Sequence, residues 1–241
     1  MRAGGPAARS ASRVLVLGAN GPSGRRTVQL ALDRGLAVDA LTRHPGTFPI
    51  RHERLHVIGG DATDPTVVDA AVAPCDAVVS VIGTTAFTRH AVEVYSASAR
   101  LVVAAMQRHG QRRLVVVTSS GVTPTRDRQD PSFVDRVTHP LLRWTIGRTA
   151  YDDMERMEAI VSASSLDWTI VRPPGLTDEP GTGYAIAETW IDGAYCARDD
   201  LATVLVDQLE DQRFLQRVAA VSTPGLRVKT LQTIRREVLK R

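Results

Sequence analysis

Cysteine is nearly missing from this chain of 241 residues: only Cys75 and Cys196 occur, and neither stands in a CxxC or Cys/His spacing. That excludes a disulfide framework and a structural zinc site. The six histidines are scattered without ligand spacing, so no metal is expected. Aromatic residues make up only 5% of the chain, and no arginine-rich run is interleaved with them, although the formal net charge is +4 and the isoelectric point about 9.5. Much of the basic excess lies at the ends, with Arg2, Arg9 and Arg13 at one and Arg235, Arg236, Lys240 and Arg241 at the other. Nucleic acid is therefore not an expected partner. No apolar run approaches the roughly 20 residues of a membrane span, so no membrane association is expected. Residues 1–12, with Gly4, Gly5, Pro6, Ser10 and Ser12, also lack the apolar stretch of a secretory signal. They read as a disordered tail, and the chain as a cytoplasmic protein of small or no oligomeric state. The preference for Arg over Lys, with abundant Ala and Val, points to a bacterial coding sequence of high GC content.

With 43% hydrophobic residues, the remaining 13–241 suffice for one α/β domain. Apolar runs at 14–17, 38–42, 55–58, 77–82, 114–118, 168–171 and 218–221 predict strands. Helices are predicted at 25–33, from Asp64-Pro65 onward, and at 91–109, 151–162, 199–209 and 229–239. The strands do not alternate apolar with polar residues, so both of their faces are covered, and the repeated β-then-α order predicts a doubly wound parallel sheet. Two segments toward the C-terminal half are long enough to build a substrate pocket: 122–149, with Phe133, His139, Pro140 and Trp144, and 177–197, with Tyr184, Trp190 and Tyr195.

Within that pattern the most informative stretch is Val14-Leu15-Val16-Leu17-Gly18-Ala19-Asn20-Gly21-Pro22-Ser23-Gly24. An apolar strand running into three glycines and then a helix is how a βα unit presents a helix N-terminus to a dinucleotide pyrophosphate. Gly18 is expected to make the turn out of the strand. Gly21, with access to positive φ, is expected to admit the phosphates, and Gly24 to let helix and strand pack closely. The spacing is GxxGxxG, one residue longer than the usual fingerprint. In doubly wound sheets the ligand lies beyond the carboxyl ends of the strands. Those ends are rich in Gly, Ser, Thr and Pro: Gly59-Gly60-Asp61, Gly83-Thr84-Thr85, Thr118-Ser119-Ser120-Gly121 and Arg172-Pro173-Pro174-Gly175. Where an NAD site places a carboxylate at the end of the second strand, this chain has Thr42-Arg43, and a cation there suits the 2′-phosphate of NADP. Asp39 falls three residues too early for the carboxylate role. Arg25 is a second cation for the phosphate, and an exposed loop arginine remains the alternative for Arg43.

The motifs just quoted, together with Leu41-Thr42-Arg43-His44-Pro45, Val81-Ile82-Gly83 and Leu166-Asp167-Trp168-Thr169-Ile170-Val171-Arg172-Pro173-Pro174, resemble in order those of the atypical short-chain dehydrogenase/reductases. Within them the chain is similar to the NAD(P)H-binding group that includes biliverdin reductase B (flavin reductase) and the NmrA-like proteins. The resemblance covers 13 to about 225 and implies a Rossmann-type domain with NADP as cofactor. It assigns cofactor contacts to Gly18, Asn20, Gly21, Pro22, Ser23, Gly24, Arg25, Arg43, Asp61, Ala62, Ile82, Gly83, Thr84, Thr118, Pro173, Pro174 and Gly175. Asp61 takes the place beside the adenine, though a turn-capping aspartate looks the same in sequence.

The resemblance implies an oxidoreductase acting on a small molecule, with Ser119 or Ser120 beside the nicotinamide. Tyr151 opens a helix as the short-chain enzymes' tyrosine does. Four residues on, however, stands Glu155 in place of the lysine that lowers the phenol pKa, and a carboxylate would raise it. Tyr151 is either a pocket residue or a structural one, unless Arg148 or Arg172 replaces the lysine. The reductases' histidine after Pro-Pro is here Gly175, which removes a proton donor. A site poor in acids suits conjugated or aromatic acceptors. A redox sensor without turnover and a non-redox epimerase or dehydratase are the other classes open to this fold.

Overall fold

The computed structural model describes residues 11–84, 91–122, 148–188 and 190–226. The predicted helix at 229–239 and Phe133, His139, Pro140 and Trp144 lie outside them. Strands β1 (Arg13–Leu17), β2 (Ala37–Thr42), β3 (Leu55–Gly59), β4 (Ala77–Ser80), β5 (Arg113–Val117), β6 (Asp167–Arg172) and β10 (Arg217–Ser222) match the predicted runs closely. The helices are α1 (Pro22–Asp33), α2 (Pro65–Val72), α3 (Val94–His109), α4 (Arg148–Ser162) and α5 (Arg198–Asp207). Among the described residues no helix is long and apolar enough to cross a membrane.

The sheet order is β3-β2-β1-β4-β5-β6-β10-β8, the Rossmann order extended at one edge. All pairings are parallel except that of β8 (Ala185–Ala187), which runs antiparallel to β10. Two more short strands, β7 (Gly175–Thr177) and β9 (Tyr195–Ala197), pair with each other. These three were not expected; each has three residues, too few for a periodicity to register.

The pleat sends alternate side chains to opposite faces, and both are covered. Leu15 and Leu17 of β1 join a core with α2, α3 and α4, while Val14 and Val16 join a second with α1 and α5. Packing begins before β1. Ala11 is buried, and the Ser12 amide and hydroxyl both donate to Asp76, at 2.9 and 2.7 Å, so the stretch read as a tail is structured at its last two residues. Parallel register brings Leu17 level with Leu41 and Ser80, which aligns the carboxyl ends of β1, β2 and β4 at one edge.

Candidate active site

The edge of the sheet is built first by the glycines. Gly18 leaves β1 at φ +76°, and a Cβ there would stand 2.7 Å from the Val81 carbonyl oxygen, so only glycine makes this turn. At Gly24 a Cβ would lie 2.2 Å from the Gly18 oxygen, which confirms that this position permits close helix–strand packing. Gly21 differs from expectation: its φ is −70°, ordinary extended backbone, so its absent side chain matters for space and not for conformation. Among the described residues, a Cβ at Gly21 would meet only the Gly18 oxygen at 3.3 Å, and one at Gly83 would meet nothing within 4 Å, so neither glycine is crowded by them.

Helix α1 starts at Gly21 with Pro22 at its first position, no side-chain cap and no acidic residue in its first turn. Its first amides and the positive end of its dipole suit an anion. A pyrophosphate fits this cradle. Ser23 and Asn20 flank it, and Asn20 Oδ1 accepts from Arg25 Nε and Nη2 at 3.0 and 2.8 Å, which folds the Arg25 guanidinium back over the loop.

At the end of β2, Arg43 is exposed, and its charge helps to depress the Asp61 pKa. The larger causes of that depression are hydrogen bonds to Asp61 from the Thr63 amide and hydroxyl, at 2.9 and 2.8 Å. Asp61 is thus a turn-capping residue that also lies within the field of Arg43. Ala62 and Ile82 pack against the α2–α4 core, and the peptide joining Val81 to Ile82 passes closest to Gly18. The Thr84 amide donates to the buried Tyr95 hydroxyl at 3.1 Å, which holds the chain after β4 to α3.

Beyond β5 the turn carrying the predicted serines is tied to the β6 end. Gly121 N donates to Ser119 Oγ at 3.2 Å, and Ser120 N donates to the Pro173 carbonyl at 2.9 Å, tying the β5 and β6 ends together. A Cβ on Gly121 would lie 2.6 Å from Tyr151 Cε1 and 3.0 Å from its hydroxyl, so the phenol lies over this turn, at the glycine whose amide binds Ser119 Oγ. Tyr151 thus belongs to the same edge as the serines. Glu155, four residues along α4, is exposed. Thr118, expected as a cofactor contact, is buried, and its hydroxyl donates to Glu158 at 2.7 Å. Arg172 also donates to Glu158, from Nε at 2.9 Å and from Nη2, so its fork is turned toward that carboxylate.

Past β6, Pro173 is buried and Pro174 half-buried. Gly175 pairs with Tyr195, and a Cβ there would sit 3.2 Å from the Tyr195 ring. A side chain at 175 would therefore press against the Tyr195 ring. Nearby, Tyr184 donates to Asp207 at 2.6 Å, and Trp190 is 42% exposed. Glu158 and Tyr95 were missed in sequence. For Glu158 a signal existed: a glutamate on the apolar face of α4, beside Met157 and Val161.

A family model described as NAD(P)H-binding matches residues 18–212. A curated relative, the "Uncharacterized sugar epimerase YhfK" of Bacillus subtilis (strain 168), is 26% identical over 212 residues, covering 83% of this chain and 89% of its own. Among solved structures, a short-chain dehydrogenase/reductase from Veillonella parvula DSM 2008 in complex with NADP superposes with a TM-score of 0.74 at 21% identity, over 89% of this chain and 96% of that one. ChuY, an anaerobillin reductase from Escherichia coli O157:H7, superposes with a TM-score of 0.67 at 23% identity, over 90% and 99%. The likeness to these two structures is one of fold.

Proposed function

We propose, from the premise that the chain belongs to the NAD(P)H-binding family, that it is an NADPH-dependent oxidoreductase reducing a small conjugated or aromatic acceptor of quinone, flavin or enone type. When bound, the cofactor supplies hydride. The chain's own residues supply the rest. The uncapped α1 N-terminus would hold the pyrophosphate, Arg43 and Arg25 would hold the 2′-phosphate, and Asp61 would face the adenine. Ser119 offers its hydroxyl proton toward the acceptor, since its oxygen already accepts from Gly121.

One observation carries the choice of substrate class. The Tyr151 phenol lies over Gly121, while the position four residues on is an exposed glutamate. Such an edge offers hydroxyl hydrogen bonds and not a lysine-activated acid. Reducing an isolated ketone makes an alkoxide, which needs a positioned acid, whereas a conjugated acceptor yields a delocalised anion that takes its proton from water. Alignment of acceptor and nicotinamide then provides most of the acceleration.

The test is NADPH consumption against quinones, flavins, enones and simple ketones. Conjugated acceptors should turn over and aliphatic ketones should not. Tyr151→Phe should cost far less than the ~100- to 10,000-fold expected of a lost general acid. Efficient ketone reduction abolished by Tyr151→Phe would overturn this reading. The name of the Bacillus subtilis relative supports a second one, sugar epimerisation with no net consumption of cofactor, which the same assay separates by its lack of NADPH oxidation.

A further inference from the structure

Beneath the Ser119–Tyr151 edge lies a buried charge cluster centred on Glu158. Glu158 accepts from Thr118 Oγ1 at 2.7 Å, from Arg172 Nε at 2.9 Å and from Arg172 Nη2. The Arg172 and Glu158 side chains are only 17% and 10% exposed. The three residues come from three elements. Thr118 follows β5 immediately before Ser119, Arg172 ends β6 immediately before Pro173, and Glu158 stands seven residues after Tyr151, two turns along the same face of α4. Removing two charges from water offsets most of their attraction, so a pair like this adds little stability; what it secures is one arrangement of the parts it joins. Those parts are the ones that carry the site. The β5 and β6 ends are already joined, Thr118 N to Val171 O at 3.0 Å and Ser120 N to Pro173 O at 2.9 Å, and Glu158 adds α4 to that join.

We infer that Glu158, held by Arg172 and Thr118, is a positioning residue that sets the spacing between the Tyr151 phenol on α4 and the Ser119 hydroxyl after β5. On this view Arg172 does not stand in for the missing lysine. It acts through Glu158, and the fork that would polarise a phenol is turned toward the carboxylate. The inference rests on the cofactor reading of this crevice.

The experiment compares the wild type with Glu158→Met/Arg172→Met, which removes both charges together, and with Arg172→Lys, which keeps one charged hydrogen bond but not the fork. Three quantities are measured: NADPH affinity, the fluorescence of the bound reduced nicotinamide, and kcat with the best acceptor. The double variant should fold and bind NADPH as the wild type does, since the pyrophosphate cradle lies at β1. It should lose the wild-type nicotinamide fluorescence and about 100-fold in kcat, the scale of an ångström-sized misplacement. Arg172→Lys should fall between the two. Wild-type fluorescence and kcat in the double variant would overturn the inference. So would a kcat loss matched by parallel losses of NADPH affinity and melting temperature, because the cluster would then only hold the fold. If the double variant fails to fold, Arg172→Lys decides by the same three readouts. A wild type that binds NADPH but reduces no acceptor overturns the functional reading instead, and nicotinamide fluorescence then judges the positioning role by itself.

Discussion

At the scale of single residues, Gly18 and Gly21 of one loop do different jobs, and substitution separates them. Gly18→Ala forces a side chain into φ +76° and against a backbone oxygen. The backbone conformation alone costs about 1–2 kcal/mol, and the clash adds to it, so urea unfolding should show a clear loss of stability. Gly21→Val is the converse. Its φ of −70° and ψ of 163° suit valine, so the protein should fold normally yet lose dinucleotide binding, because the branched side chain occupies the open space the phosphates need. Calorimetry on a folded Gly21→Val protein that still bound NADPH normally would place the crevice elsewhere. Arg43 is exposed at the β2 end within the field of Asp61. NADPH should bind more tightly than NADH, and Arg43→Ala should erode that preference by roughly 1–3 kcal/mol, the worth of a charge-assisted hydrogen bond. Equal wild-type affinities for the two cofactors would contradict it.

At the scale of elements, two helix starts on the same edge of the sheet are finished differently. Asp64 caps α2 by accepting from Thr66 N at 2.8 Å and Val67 N at 3.3 Å, with Pro65 at the first helical position. Helix α1 also starts with proline but has no side-chain cap. One helix is closed by its own sequence, and the other carries no side-chain cap, as the proposed pyrophosphate site requires. Asp64→Ala should therefore lower stability by about 1 kcal/mol without altering NADPH affinity. A change in cofactor affinity would mean that α2 takes part in the site. Helix α3 is finished by a third device, a carboxylate from another helix: Asp153 of α4 accepts from the Tyr95 amide at 2.8 Å and the Ser96 amide at 3.3 Å.

Across the whole molecule, titration brackets the pH range of the fold. Hydrogen bonds from Arg213 hold the Asp211 carboxyl down, from 3.8 to about 2. A depressed carboxylate contributes stability above pH 3.8 and loses it as pH falls toward 2; the partner Arg213 is exposed, so this contribution is modest. At the other end, burial and the hydrogen bond to Asp207 push Tyr184 from 10.0 up to about 12, and burial pushes Cys196 from 9.0 up to about 12. The folded state keeps both neutral while the unfolded chain ionises. Their contribution is full below about pH 9 and disappears as pH rises through 12. Melting temperature should be flat between pH 5 and 8 and fall on both sides, on the acid side below about pH 4; a rise between pH 9 and 11 would contradict the assignment.

The sequence by itself determined the βα order, the Gly18 turn, the Gly24 contact and the Asp64-Pro65 start, because each depends on neighbours a few residues apart. It also led to the carboxyl edge, where Ser119, Ser120, Tyr151 and Pro173 now stand together, because parallel strands and right-handed crossovers leave one edge open to ligands. Tertiary structure alone decided the rest. Whether Gly21 uses positive φ depends on the loop's path against β4, and whether Thr118 faces the crevice depends on Glu158, 40 residues away. That Gly175 pairs with Tyr195 is likewise visible only in the sheet. Such contacts join residues distant along the chain, so no local pattern records them; only packing, which requires each buried polar atom to find its partner in three dimensions, does so.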